Sequence, residues 1–275
     1  MRRSGLWVLA ISITSLQLGA ASAKGLFDRI EPMTLVWLRL VLASLLIFVF
    51  ARPRLGGHTA RQWWLVVGYG LSLSIMNLAL YQAIARIPLG AAVTIEFLGP
   101  LLVAVRGSRR LRDWIWIVLA GGGVLLLGSG ALELDAVGIG FALLAAAAWG
   151  TYILLSSKTG AHWSGVSGLA VGTFVGAVLA TPFMLTSSPE KLASPSVWLW
   201  GLFVALLSTV IPYGLEMFAL RRISPAVFGI LMSLEPAAAA LAAMVVIGEF
   251  LGPVEWVAIA CVTIASIGTI RTNTG

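Results

Sequence analysis

Residues 81–92 read YQAIARIPLGAA, and residues 217–228 read MFALRRISPAVF. A shift of 136 positions aligns three pairs of identical residues in and beside these segments: Arg86 with Arg222, Ile87 with Ile223, and Pro100 with Pro236. Each half of the chain also contains five apolar stretches. Because five crossings are an odd number, the second half would enter a membrane from the opposite side. The pattern predicts two inverted repeats, residues 1–134 and residues 135–275.

The composition of the chain is that of a membrane protein. Hydrophobic residues make up 59% of the 275 residues, charged residues make up 11%, and the mean hydropathy is +0.99. A soluble domain carries about 25% charged residues. The length allows about ten spans of roughly 20 residues, and the apolar runs are continuous rather than alternating, which indicates helices. We predict an all-α polytopic membrane protein with ten transmembrane helices, over residues 5–23, 32–51, 62–84, 88–106, 113–130, 136–156, 164–186, 196–219, 225–247 and 253–270.

The placement of the basic residues indicates a membrane topology rather than nucleic-acid binding, although the net charge is +7. With the N-terminus inside, 13 of the 18 Lys and Arg residues fall in inner loops, 4 fall in outer loops, and Arg39 lies within a span. This bias follows the positive-inside rule. We predict a multi-pass protein of the bacterial plasma (inner) membrane, with both termini in the cytoplasm, contact with the lipid bilayer and no nucleic-acid partner.

The N-terminal stretch has features of a secretory signal peptide, with two arginines, an apolar core and the small residues Ala21, Ser22 and Ala23. Cleavage would leave nine spans and would spoil the repeat. The core is also more polar than that of a usual signal peptide, because it contains Ser12, Thr14, Ser15 and Gln17. We favour a retained first helix that lines a cavity.

The chain lacks the residue patterns of the common metal sites and membrane enzymes. Cys261 is the only cysteine and lies within the last predicted span, which excludes an intrachain disulfide and a cysteine-based metal site. His58 and His162 have no metal-spaced partner. No protease or lipid-enzyme motif and no Walker motif is present. We predict no cofactor, no metal site and no catalytic residues, and a membrane-embedded enzyme remains the alternative from another class.

Four charged residues lie within the predicted spans: Arg39, Glu96, Glu216 and Glu235. A buried ion is costly, and it usually faces a partner or a water-filled pathway. Glu235 lies about 16 Å into its span at 1.5 Å per residue, and Pro236 after it interrupts the helical hydrogen bonds. Because burial disfavours an ionised carboxylate, we predict that Glu235 binds and releases a proton or contacts substrate. A structural ion pair or hydrogen bond is the alternative.

The other three charges have competing interpretations. Glu96 precedes Pro100 by one turn, so each half presents a carboxylate beside the same proline, at slightly different heights. For Glu216, we favour an interfacial salt bridge with Arg221 or Arg222, although the neighbouring Pro212 and Tyr213 leave a kinked, cavity-lining segment open. Arg39 can hold a substrate carboxylate, neutralise a glutamate, or extend to the outer surface.

Uncharged polar residues supply further candidates for the site. Asn77 and Tyr81 lie one turn apart on the third span and share a helix face. Together with Tyr152 and Tyr213 they can bond a polar solute, or each can be a satisfied interior group. Glycines at positions 168, 172 and 176 are typical of close helix packing. That packing can lie within one subunit or in a dimer, so a monomer and a homodimer both stay open.

Several segments resemble the EamA branch of the drug/metabolite transporter superfamily, most closely its threonine/homoserine exporters. The matching segments extend over nearly the whole chain: SLQLGAASAK (15–24), LRLVLASL (38–45), GLSLSIMNLALYQAIARIPLGAAVTIEFLGPL (70–101), AAAAWGTYILLS (145–156), LSTVIPYGLEMFALRRISPAVFGILMSLEPAAAAL (207–241) and GEFLGPVEWVAIACVTIASIG (248–268). The stretches around Glu96 and from Glu216 to Glu235 are the more specific ones, and the alanine-rich parts are not.

The resemblance implies ten helices in two inverted five-helix repeats around a central cavity. It also implies efflux of small amino acids, with protons as the exchanged ion. Arg39, Glu96, Glu216 and Glu235 stand where the family has the same residue types. We therefore expect a secondary active exporter of threonine- or homoserine-like amino acids, and a broad-specificity drug or metabolite exporter is the alternative within the same class.

Overall fold

The computed structural model describes residues 2–53, 55–106, 114–129, 134–163, 167–220, 222 and 225–274. Several basic residues used for the topology prediction lie outside the described residues: Arg54, Arg109, Arg110, Arg112 and Arg221. The described part consists of helices and short connections, without a strand. The helices are α1 Arg2–Lys24, α2 Pro32–Ala51, α3 Ala60–Ile84, α4 Leu89–Glu96, α5 Leu98–Arg106, α6 Trp114–Ser129, α7 Ala136–Gly160, α8 Ser167–Leu185, α9 Pro195–Ala205, α10 Ile211–Leu220, α11 Pro225–Met232, α12 Glu235–Ile247 and α13 Pro253–Thr274.

Eight helical segments of the described chain are long and apolar enough to cross a membrane. Two of them combine successive helices: one joins α9 to α10 over Pro195–Glu216, and the other joins α11 to α12 over Val227–Ile247. Two further apolar segments are shorter, at Leu89–Val105 and Trp114–Leu127. The prediction of an all-helical membrane protein is confirmed, and eight of the ten predicted spans reach the length of a crossing.

Two predicted spans are interrupted in the structure rather than continuous. α4 ends at Glu96, four residues before Pro100, and α11 ends at Met232, four residues before Pro236. Proline has no N–H group, so neither proline can donate the helical hydrogen bond to the carbonyl four residues earlier. The interruptions place Glu96 at the last position of α4 and Glu235 at the first position of α12.

A third proline accompanies a wider turn between α9 and α10. Residues Leu206–Val210 form a π-helical turn, and Pro212 follows two residues later. Pro212 cannot donate to the carbonyl of Ser208, and π turns occur where the regular helical bonds are interrupted. The wider turn leaves the carbonyl of Leu207 to accept a hydrogen bond of 2.9 Å from Ser15 on α1.

Glycine positions bring α3 and α8 into close contact. A Cβ atom at Gly172 would lie 2.2 Å from the Tyr69 ring, and one at Gly70 would lie 2.6 Å from the Gly172 carbonyl oxygen. A Cβ atom at Gly176 would lie 3.3 Å from the Gly70 carbonyl oxygen. Two members of the predicted glycine stripe therefore pack within the chain, because the absence of a side chain lets the two backbones meet.

Candidate functional site

A cavity of about 410 Å³ lies in the middle of the helical bundle. It is lined by all eight polar and charged residues that the sequence nominated: Arg39, Asn77, Tyr81, Glu96, Tyr152, Tyr213, Glu216 and Glu235. They come from α2, α3, α4, α7, α10 and α12, so the site exists only when these helices are assembled. The volume falls within the range of sites for small molecules, about 300–1,000 Å³.

Helix α1 supplies hydrogen bonds to the π turn and α10 beside the cavity. The Ser12 hydroxyl lies 3.1 Å from Oε1 of Glu216 and 3.2 Å from the carbonyl oxygen of Pro212. Gln17, on the same helix, lines the cavity itself. The polar residues of this helix therefore face the bundle interior as predicted, with the exception of Thr14, which bonds back to Ala10 at 2.8 Å.

We favoured an interfacial salt bridge between Glu216 and Arg221 or Arg222, and for Arg222 this prediction is wrong. The Glu216 carboxyl group lines the cavity and accepts from Ser12. The Arg222 guanidinium instead lies over the Phe218 ring, 3.3 Å from its centroid, and its Nη1 is 3.4 Å from the Phe218 carbonyl oxygen. Glu216 faces the interior, which is the cavity-lining alternative that the neighbouring Pro212 and Tyr213 left open.

Glu96 and Glu235 are nearly inaccessible to solvent, with 5% and 3% of their surface exposed. Oε1 of Glu235 has no hydrogen-bond partner among the described residues. A buried carboxylate without a partner is strongly disfavoured. Glu235 therefore presents an oxygen that is free to accept a hydrogen bond at the cavity wall.

Arg39 is the cationic group of the cavity. Its side chain is 7% exposed, and its guanidinium carbon lies 5.0 Å from the centroid of the Tyr81 ring. Nε of Arg39 and the hydroxyl of Tyr81 have no hydrogen-bond partner within the described part. Of the three alternatives for Arg39, extension to the outer surface is wrong, because the side chain packs on Tyr81 and lines the cavity. Asn77, one turn before Tyr81, donates to the Leu73 carbonyl at 2.7 Å.

Aromatic side chains complete the cavity wall. The rings of Phe97 and Trp149 meet edge to face, 5.3 Å apart, and both line the cavity. Tyr152 stacks on Tyr69 with a centroid distance of 5.0 Å. The sequence did not nominate Phe97 or Ser208 for the site, and only the adjacent Glu96 and the neighbouring Pro212 pointed to their segments.

The fold and the cavity together define the class of protein. A helical membrane protein holds three carboxyl groups, one guanidinium group and two interrupted helices around one interior cavity. In the described residues no group of three or more His, Cys, Asp or Glu side chains could hold a metal ion. Interrupted helices beside a central site are typical of secondary transporters.

Known proteins place the chain in a family. The sequence model of the EamA-like transporter family matches residues 136–271. The threonine/homoserine exporter RhtA of Escherichia coli (strain K12) is 38% identical over 279 residues, covering 99% of this chain and 94% of the relative. RhtA of Salmonella typhimurium (strain LT2) is 40% identical over 268 residues, covering 96% and 90%. The chain belongs to the EamA-like transporter family.

More distant similarities agree with this assignment. The uncharacterized transporter YwfM of Bacillus subtilis (strain 168) is 31% identical over 179 residues, which cover 63% of this chain and 59% of the relative. A solved crystal structure that is 18% identical in sequence matches 100% of this chain and 98% of its own chain, with a TM-score of 0.66. That similarity shows a shared fold.

Proposed function

We propose that this protein is a secondary active exporter of small, threonine- or homoserine-like amino acids in the inner membrane, driven by exchange for protons. The observation that carries the proposal is the single cavity that contains Arg39, Glu96, Glu216 and Glu235. The two RhtA exporters, which are named for threonine and homoserine, are similar to this chain over nearly its whole length.

The charges of the cavity match those of a zwitterionic solute. An amino acid needs an anionic group near its ammonium and a cationic group near its carboxylate. The guanidinium of Arg39 has a buried Nε without a partner, and a guanidinium binds a carboxylate through two parallel hydrogen bonds. Glu235 offers a buried oxygen without a partner for the ammonium group.

Competition for one carboxyl group couples the two fluxes in the proposed mechanism. A proton and an ammonium group both stabilise the buried Glu235 carboxylate, and they exclude one another there. Protonation from the outside releases the amino acid, and loss of the proton to the cytoplasm lets the next amino acid bind. The cycle requires only that each ligand binds one state of the carboxyl group better than the other. Glu96 and Glu216 share the cavity and are the other candidate proton carriers.

The packing of the helices supports two inverted repeats, residues 1–134 and residues 135–275. With the shift of 136 positions, α4 at residues 89–96 corresponds to α11 at residues 225–232, and both end four residues before a proline. Counterpart helices also make counterpart contacts: α1 packs on α10 and α12, and α7 packs on α3, α4 and α5. Likewise, α2 packs on α9, and α8 packs on α3. The short segments containing α4–α5 and α6 complete a ten-helix arrangement.

The positive-inside rule supports a cytoplasmic location for both termini. In this orientation the inner end of the bundle carries Arg52, Arg106 and Lys158, and the outer end carries Lys24 and Glu249.

The experiment uses purified full-length protein in liposomes loaded with labelled threonine, with the outside made acidic. We expect threonine efflux that follows the pH gradient, and loss of gradient-driven efflux in Glu235→Gln with some substrate binding retained. Glu190→Gln is the matched control, because Glu190 lies in the short 3-10 helix Pro189–Ala193, away from the cavity lining. The control should export as the original protein does.

Two results would change the proposal. Gradient-driven efflux that survives Glu235→Gln would move the coupling role to Glu96 or Glu216. Complete absence of threonine and homoserine flux in the original protein would refute the amino-acid proposal, and the same vesicles should then receive lipophilic cations. The wall of Phe97, Trp149 and Tyr152 favours such a broad-specificity exporter as the second candidate, because aromatic faces attract cations. A chemically altered product would indicate an enzyme.

A further inference from the structure

Three segments meet at the outer end through two charged side chains. Nζ of Lys24, the last residue of α1, contacts the carboxylate of Glu249 and donates to the carbonyl oxygen of Ile87 at 2.9 Å. Oε1 of Glu249 accepts from the backbone N–H of Leu89, the first residue of α4, at 2.6 Å. A carboxylate is favourable at a helix N-terminus, where the backbone N–H groups lack partners. The two side chains are largely buried, with 18% and 19% of their surfaces exposed.

Small residues pack the helices tightly below these bonds. A Cβ atom at Gly90 of α4 would lie 2.8 Å from the Ala240 Cβ of α12 and 2.9 Å from Cδ1 of Leu251. A Cβ atom at Gly25 would lie 3.0 Å from Cγ2 of Ile247. The outer halves of the two interrupted spans are therefore in direct contact.

The inner end lacks the equivalent contact in the described part of the chain. In the repeat arrangement, the counterparts of α4 and α12 are α11 and α5. α4 packs along α12, whereas α11 and α5 form no comparable packing. The cavity instead extends between them, because Phe228 of α11 and Ala104 of α5 both line it. The two equivalent helix pairs therefore differ in this conformation: α4 and α12 are packed together, whereas α11 and α5 are apart.

We propose that Lys24 and Glu249, with the backbone of Ile87 and Leu89, form the outer gate of the transport pathway, closed in this conformation. Opening the gate separates α4 from α12, and the related movement at the inner end brings α11 against α5. Two of the three bonds, Lys24 to Ile87 and Leu89 to Glu249, join elements that must part, and the third holds Lys24 and Glu249 together. The cluster therefore stabilises the inward-open state over the outward-open one. The inference rests on the proposed orientation and repeat arrangement. It does not depend on the identity of the substrate.

The test measures the accessibility of the cavity from each side. Cys261 is replaced by Ser to remove the native thiol, and Ala20, which lines the cavity one turn before Lys24, is replaced by Cys. A charged, membrane-impermeant maleimide is added to the outside of right-side-out vesicles. We expect slow labelling in this background and about tenfold faster labelling with Lys24→Met or Glu249→Gln, which corresponds to a population shift of about 1.4 kcal/mol.

Control variants separate gating from misfolding. Lys191→Met removes another lysine of the outer end that takes no part in the cluster, and it should leave the labelling rate unchanged. A second reporter, Phe228→Cys, is labelled from the cytoplasmic side, with the reagent added outside inverted vesicles, and the gate variants should slow its reaction. Faster labelling of both reporters would indicate unfolding and would overturn the gate assignment for that variant.

Two further outcomes would overturn the proposal itself. Unchanged labelling of the Ala20→Cys reporter in both gate variants would show that the cluster does not control access. If the gate variants speed labelling of the same reporter from the cytoplasmic side and not from the outside, the cluster does not lie at the outer end. Neither measurement requires transport, so a failure of the gate proposal is distinguishable from a failure of the amino-acid proposal.

Discussion

Gly99 lies at the closest approach of two helices beside the cavity. A Cβ atom built on Gly99 of α5 would lie 2.1 Å from the Ala146 carbonyl oxygen of α7 and 3.1 Å from the Gly150 backbone nitrogen. Side-chain Cβ atoms essentially never approach another heavy atom within 3.0 Å. The two backbones would have to separate by about 0.9 Å, the difference between 2.1 Å and 3.0 Å, because a backbone carbonyl cannot rotate away as a side chain can.

We expect Gly99→Ala to destabilise the protein by about 1–3 kcal/mol, the usual cost of overpacking. The thermal midpoint should fall by roughly 2–12 °C, taking about 2–4 °C per kcal/mol for a chain of this size class. The measurement is the fraction of monodisperse protein in detergent after heating, read by size-exclusion chromatography. Transport should fall as well, because a shifted α5 displaces the adjacent Glu96.

Gly122→Ala is the matched control for this prediction. Gly122 lies in α6, and a Cβ atom there meets nothing within 4 Å. Alanine is favoured over glycine within a helix by about 1 kcal/mol, so the control should keep or raise the thermal midpoint. Equal midpoints for Gly99→Ala and the original protein would refute the close-packing argument. An equal fall of the thermal midpoint in both variants would show that the close approach at Gly99 is not the cause of the loss.

Two more substitutions test the cavity. Arg39→Lys keeps the charge but removes the planar fork, so threonine affinity should fall at least about tenfold if the carboxylate is bound through two hydrogen bonds. Threonine binding to the purified protein measures this, and Arg29→Lys is the control because Arg29 is exposed. Unchanged affinity would exclude a bidentate contact. Pro236→Ala supplies an N–H group for the Met232 carbonyl and should join α11 to α12. Gradient-driven threonine efflux should then decrease while the thermal midpoint does not, and full activity would show that the interruption is dispensable.

The sequence predicted the fold class, the family and most of the helix positions, for a physical reason. A span must bury a continuous run of about 20 apolar residues in lipid, so hydropathy alone locates it. The interruptions before Pro100 and Pro236 were less visible. A proline always removes the hydrogen bond to the carbonyl four residues earlier. Whether the helix bends or ends there depends on the helices packed against it. The structure ends the helices at Glu96 and Met232.

The site was predicted residue by residue but not as an arrangement. Intramembrane charges are so few that Arg39, Glu96, Glu216 and Glu235 were evident from the sequence, since burial without function is costly. Their partners were not evident. The Ser12 hydroxyl and Glu216 are 204 positions apart and meet at 3.1 Å. One of its two expected partners, Arg222, lies near it in sequence but packs on Phe218 instead.

The amino-acid sequence by itself determined that this chain spans a membrane with helices, that its halves resemble one another, and which charged side chains lie inside. These properties follow from hydropathy and spacing, which act locally along the chain. The tertiary structure decided which charges share one cavity, how closely Gly99 and Gly90 bring their helices to neighbours, and that Lys24 meets Glu249 at the outer end. Those features depend on contacts between residues far apart in sequence, because packing and hydrogen bonding select among arrangements that hydropathy alone leaves equivalent.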